Sequence, residues 1–269
     1  MIRKGNVLAI MSAKGGTGKT ATTANLAAAL ATEFKRKILA VDTNITTASL
    51  GLHFGIDSPK ITIYDVLKKE FPIQSAIINY SNNLDIIPAS LKKLEIKNNE
   101  KDVFSIAEQT RKLVYYYDIL LSQVVKNYDL VLLDSAGGFS FESLATMEVA
   151  DGILFVTNPE YPALLATAKA VSYSKILGVP TGGIVLNKVK NKSYEVSSDD
   201  IMDLLKMRIA KKIPNDEYVP ESISKGVPVV LYKKNSAAST AYKQLAGALI
   251  GEEYIPTISE KLRLMLRKF

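Results

Sequence analysis

The 269-residue chain contains no cysteine. Disulfides, thiolate metal sites and cysteine nucleophiles are therefore excluded. It has a single histidine, His53. An imidazole without a second histidine or a paired acid is poor support for a metal site, so His53 is read as structural. No apolar run reaches the roughly 18 residues of a membrane span. No signal peptide is visible, because the N-terminus enters a strand-like run directly. These features suit a chain made and kept in the cytoplasm. Internal repeats and long Ser/Gly/Pro linkers are also missing, which points to one main domain. What the chain does have is 47% hydrophobic residues, enough for a substantial core. Its 34 basic residues exceed its 27 acidic ones, for a net charge of +7. That balance suits an anionic partner, either nucleic acid or anionic lipid.

Short runs rich in Val, Ile and Leu alternate with helical patterns. The runs are Val7–Met11, Ile38–Val41, Leu84–Ile87, Leu130–Leu133, Ile153–Val156 and Gly183–Leu186, with Met207–Ile213 a further candidate despite its three basic residues. They read as strands buried on both faces. Helical stretches lie at Lys19–Phe34, Val103–Lys126, Ser140–Ala150, Ala163–Leu177 and Ser197–Lys206. This alternation predicts an α/β fold with a mainly parallel sheet of seven or eight strands, sandwiched by helices. Ligands then bind at the carboxyl ends of the strands. Tyr115, Tyr116 and Tyr117 fall inside a predicted helix and are read as core packing.

The sharpest signal is Ser12-Ala-Lys-Gly-Gly-Thr-Gly-Lys-Thr20, set between the first strand and the first helix. Strand, glycine-rich loop and helix in this order hold a nucleotide triphosphate. Backbone N–H groups and the helix dipole face the phosphates. Lys19 can reach the β- and γ-phosphates, and the Thr20 hydroxyl can ligate Mg²⁺. Tyr128-Asp-Leu-Val-Leu-Leu-Asp134 is an apolar strand closed by an acid, the other half of such a site.

The loop starts with Ala13 where the usual pattern has glycine, and carries a second lysine, Lys14. It resembles the deviant Walker A loop of the MinD/ParA family of P-loop ATPases, SIMIBI-type NTPases. The resemblance runs by motif from about residue 5 to 235. It implies an ATP hydrolase that needs Mg²⁺ and dimerises on ATP, with Lys14 crossing to the partner's nucleotide. Gly15, Gly16, Thr17, Gly18, Lys19, Thr20 and Thr22 would then hold the phosphates. Thr20, Asp42 and Asp134 would serve the metal. Ser135, Gly137 and Gly138 would form the second switch, here without its usual proline. Asn187 would read adenine beside Pro214 and Asn215, and Thr157-Asn158-Pro159-Glu160 would shape the dimer interface. Thr62–Leu67 and Ser224–Val229 match family segments read as packing. The family's first switch is Asp-x-Asp; this chain has Asp42-Thr43-Asn44. An amide cannot hold negative charge or accept a proton. Slow hydrolysis is therefore expected unless another group orients the water. Iron–sulfur members of the same superfamily need cysteines, so their chemistry is closed to this chain.

The C-terminus, Ile258 to Phe269, places Ile258, Leu262, Met265, Leu266 and Phe269 on one helical face, with Lys261, Arg263, Arg267 and Lys268 elsewhere. A basic amphipathic helix suits a membrane interface, as in the MinD branch; packing back on its own domain is the alternative. The expected organisation is an ATPase domain over 1–254 and a targeting helix over 255–269. The expected role is a dimeric ATPase peripheral to the inner face of the cell membrane, positioning division or other machinery through a protein partner. A ParA-like DNA-binding ATPase is the alternative reading.

Overall fold

The computed structural model describes residues 7–90 and 106–260. Its eight strands form one sheet: β1 (Val7–Ser12), β2 (Ile38–Asp42), β3 (Ile78–Ser81), β4 (Leu84–Ile87), β5 (Leu130–Gly137), β6 (Gly152–Thr157), β7 (Thr181–Val189) and β8 (Ile209–Pro214). The order is β3-β4-β2-β5-β1-β6-β7-β8. All neighbours are parallel except β3 and β4, which pair antiparallel across the Asn82-Asn83 turn. The helices are α1 (Lys19–Thr32), α2 (Ile63–Leu67), α3 (Ile106–Val124), α4 (Phe141–Glu148), α5 (Tyr161–Ile176), α6 (Ser198–Leu205), α7 (Tyr218–Ser224), α8 (Val229–Tyr232) and α9 (Ala237–Ile250).

Successive residues of a strand point to opposite faces, and here both faces are dry. On β5, Val131 and Leu133 enter the core beneath α3 and α4, while Leu132 enters the core beneath α1 and α9. On β6, Ile153 and Phe155 divide from Leu154 and Val156 in the same way. Alanines 24, 27, 28, 29 and 31 bring α1 close to the sheet. The expected mainly parallel sheet between helical layers is what is found. Strand β3 and helices α7, α8 and α9 escaped the sequence pattern. Strand β3 (Ile-Asn-Tyr-Ser) is a short, mixed-polarity edge. Helix α9 is buried nearly all round by small residues, so no polar stripe marks it. Of the tyrosine cluster, Tyr117 is in the core, with its hydroxyl 3.2 Å from Thr43 O, whereas Tyr115 is exposed. Core packing thus holds for one ring and fails for Tyr115, because a helix turns 100° per residue and adjacent side chains cannot share a face.

Residues 255–260, assigned by the sequence to the tail, are fastened to the domain. Glu260 is 1% exposed and accepts from Lys243 Nζ on α9 at 3.0 Å, from Tyr254 Oη at 3.0 Å and from Thr257 N at 2.7 Å. Lys243 also lies 3.6 Å from Glu33, just past α1. Burial pushes Glu260 up, but the Thr257 N–H and Lys243 outweigh it and hold the carboxyl below its ordinary value. Burial pushes Lys243 down, but bonds to Glu260 and Tyr254 raise it overall. A lowered acid contributes stability that is lost as pH falls through its folded value; a raised lysine's contribution is lost as pH rises through its own. The clasp therefore holds from about pH 5 to pH 10. Lys243→Met strands a buried carboxylate and is expected to cost about 3 kcal/mol at pH 7, with Lys243→Met/Glu260→Gln recovering part of it. Thermal melts check this; an unchanged melting temperature for the single variant contradicts it.

Ile258 is 88% exposed at the start of the tail. The other tail residues singled out above, Leu262, Met265, Leu266 and Phe269, lie outside the described residues.

Candidate functional site

The carboxyl ends of β1, β2, β5, β7 and β8 meet at one edge of the sheet, around a cavity of about 600 Å³. The loop after β1 forms its floor. Gly16 (φ 79°) and Gly18 (φ 92°) adopt left-handed backbone, which L residues with a Cβ disfavour. At Gly18 a Cβ would also sit 2.1 Å from Asn187 Nδ2. Helix α1 starts straight after Gly18 with no side-chain cap and no acid in its first turn. Its first N–H groups and dipole are thus left for an external anion.

Asp134 is the hub of the site's hydrogen bonds, though it does not itself line the cavity. It is fully buried and paired in register with Asp42 on the neighbouring strand. Lys19 Nζ donates to its Oδ1 at 2.8 Å, Thr20 Oγ1 to its Oδ2 at 2.8 Å and Thr23 Oγ1 to its Oδ1 at 2.9 Å. Thr23 carries no motif signal; it belongs because it lies one turn beyond Lys19 on the same face of α1. Asp42 is off the cavity wall. Its carboxylate accepts from Asn44 N, Ser49 N and Leu50 N, each at 3.0 Å, and so shapes the loop after β2. Burial pushes Asp42 up to about 7, and Asp134 adds to the rise, against the pull of the Leu50 and Ser49 N–H groups and Lys19.

Asn44 lines the cavity, but its amide closes a turn: Nδ2 donates to Thr47 O at 2.7 Å, and Oδ1 accepts from Thr47 Oγ1 at 3.0 Å. Thr46 of the same loop donates to the buried Glu142 of α4 at 2.5 Å. At the end of β5, Gly137 lines the cavity, Gly138 N is committed to Ser12 O at 3.0 Å, and the Ser135 hydroxyl turns to Ala136 O. Thr22 stands apart from the wall; it is fully buried and its hydroxyl returns to Gly18 O at 2.9 Å. Lys14 is also off the wall. Its side chain is 51% exposed and reaches Glu160 at 4.0 Å.

On the far side, Asn187 Nδ2 donates to Thr17 O at 2.7 Å, and Asn158 Nδ2 donates to Asn187 O at 3.0 Å. Pro214 and Asn215 continue the wall with Val219, Pro220 and Ile223 from α7. His53, read as structural from the sequence, also reaches this wall, with Nδ1 3.0 Å from Ser49 O; burial holds its pKa below the ordinary value. Ser49, His53 and the α7 residues had no local signal, because chain crossings rather than motif bring them here. Among the described residues, no group of three or more His, Asp or Glu could hold a metal, and no helix is long and apolar enough to cross a membrane.

A glycine loop between strand and helix, with a lysine and a threonine converging on an acid from a parallel strand, defines a P-loop NTPase. Residues 5–176 match a family described as AAA domain, and residues 104–268 match one described as 4Fe-4S iron sulfur cluster binding proteins, NifH/frxC family. Without cysteine, the second match reports shared architecture and not a cluster. The chain is 31% identical to an uncharacterized ATP-binding protein of Methanocaldococcus jannaschii, over 97% of this chain and 93% of that one. The crystal structure of the Pyrococcus furiosus cell division ATPase MinD superposes with a TM-score of 0.81 at 30% identity, covering 92% and 99% of the two chains. The Pyrococcus horikoshii septum site-determining protein MinD, solved with Mg-ADP, gives 0.80 at 31%, covering 91% and 95%. The chain belongs to the MinD/ParA family of P-loop ATPases.

Proposed function

We propose that this protein binds Mg-ATP in the cavity, pairs face to face with a second copy around two nucleotides, and in that form holds to an anionic membrane surface, where it positions partner proteins. The cavity fits the ligand. The Thr17 hydroxyl is buried on its wall without a hydrogen-bond partner, alone in this among the described side chains, and an unpaired buried hydroxyl is costly unless a ligand meets it. Gly15 to Thr20 hold the phosphates, with Lys19 turning from Asp134 to them. The Thr20 hydroxyl and Asp134 supply oxygens for Mg²⁺, which neutralises phosphate charge when bound; Asp42 supports them by fixing the loop. Asn187 spends its NH₂ on Thr17 O, so its carbonyl oxygen is left to accept from adenine's exocyclic amine beside Pro214 and Asn215. Asn44, with no charge and its amide engaged, keeps hydrolysis slow.

One observation carries the dimer: the loop's two lysines divide, Lys19 turned inward and Lys14 outward. A cation that avoids its own cavity is free to serve another. The tail gives the membrane half. Each basic residue near an anionic surface contributes roughly 1 kcal/mol, so one copy binds weakly. Two copies on a dimer gain about 10²-fold in avidity. Sedimentation with anionic liposomes tests this. The full chain is expected to pellet with Mg-ATP and to stay largely soluble with Mg-ADP. A chain ending at Glu260, which keeps the clasp, stays soluble with both. Equal pelleting of the two chains would sink the membrane assignment, and retention on DNA instead would favour the ParA-like reading.

A further inference from the structure

Three lysines surround the phosphate loop. Lys19 faces the carboxylate of Asp134 and Lys14 that of Glu160. The third, Lys188, follows Asn187 at the end of β7, and no motif drew attention to it. It lines the cavity, its backbone is left-handed (φ 57°), and Nζ donates to Gly16 O at 2.7 Å. No ion pair with a carboxylate is seen for it among the described residues. A peptide carbonyl occupies one of its three donors but does not neutralise its charge.

Lys188 acts beside its neighbour. Asn187 Nδ2 holds Thr17 O, and Lys188 Nζ holds Gly16 O. Two successive residues of β7 thus grip two successive carbonyls of the loop. In a planar trans peptide the N–H points opposite to the C=O. Fixing these carbonyls toward β7 turns the N–H groups of Thr17 and Gly18 the other way, to the concave side of the loop. The Lys188 stem runs over Gly18, with Cε 4.0 Å from where a Cβ would stand.

Resting on the nucleotide reading above, we infer that Lys188 is a positioning residue of the phosphate site: it aims the loop's amides and adds a cationic charge in cis, for diphosphate and triphosphate alike. This is a different task from that of Lys14, which depends on a second copy. Binding of this kind lowers or raises affinity for both nucleotides by a similar factor.

The test is calorimetric titration of the full chain with Mg-ADP and with a non-hydrolysable Mg-ATP analogue. Lys188→Met is expected to weaken both by a similar factor, about 10-fold, and to flatten the dependence of affinity on salt. Lys188→Arg, which keeps a charged donor, is expected to stay within about threefold of the parent. Affinities for Lys188→Met within twofold of the parent overturn the inference. So does a loss confined to the triphosphate, an unchanged salt dependence, or a Lys188→Arg variant as weak as Lys188→Met. A parent chain that binds no Mg-ADP overturns the nucleotide reading itself, which separates the two failures.

Discussion

Asn44→Asp is expected to raise single-turnover ATP hydrolysis by 10-fold or more. The substitution restores an acid at the cavity wall, and a positioned general base contributes about 10²- to 10⁴-fold. The structure adds a second reason. The Asn44 NH₂ group now donates to Thr47 O. An aspartate has no donor for that bond and would set a carboxylate oxygen against the Thr47 carbonyl. Losing that bond costs roughly 1–3 kcal/mol; one carboxylate oxygen can keep the Thr47 N–H and Oγ1 bonds, while the other, with no donor in the loop, is available to the cavity. Asp42 still pins the loop through three backbone N–H groups, so the change stays local. Rapid-quench measurement of one turnover reads the effect. An unchanged or slower rate would mean that another group orients the water and that the amide at this position is neutral to catalysis.

Lys14→Ala is expected to separate binding from assembly. Its one described ion pair, with Glu160 at 4.0 Å, is between exposed groups, and such pairs contribute 0–1 kcal/mol. Folding and Mg-ADP affinity should therefore stay within about twofold of the parent. Assembly should not. Removing one partner of a desolvated interfacial charge pair costs 2–5 kcal/mol. At the lower figure, two copies come to about 4 kcal/mol, near 10³-fold in the dimer constant. Equilibrium sedimentation with a non-hydrolysable ATP analogue measures that constant. A variant that assembles like the parent would remove Lys14 from the interface.

The parts of this architecture that read directly from the sequence are those encoded in neighbouring residues. Val131-Leu-Leu133 is apolar without a break because both faces of β5 are buried, and Gly16 and Gly18 are glycines because their backbone is left-handed. Asp134 follows from the apolar run that it closes. The contacts that were illegible join residues far apart in the chain. Lys188 meets Gly16 from 172 positions away, and Val219, Pro220 and Ile223 complete a wall whose other side is the first turn of α1. Glu260 is a surface residue by composition and a buried one by its pairing with Lys243. Asp42 shows the opposite case. Its motif points to the metal, while its hydrogen bonds go to the loop that follows it, since three N–H groups reach the carboxylate before anything in the cavity does.

Light scattering on the purified full chain, at saturating nucleotide with magnesium, bears most directly on the whole account. Twice the monomer mass with a non-hydrolysable ATP analogue, and the monomer mass with ADP, is the result the divided lysines call for. A particle that stays monomeric with both nucleotides, each shown to be bound, would contradict it.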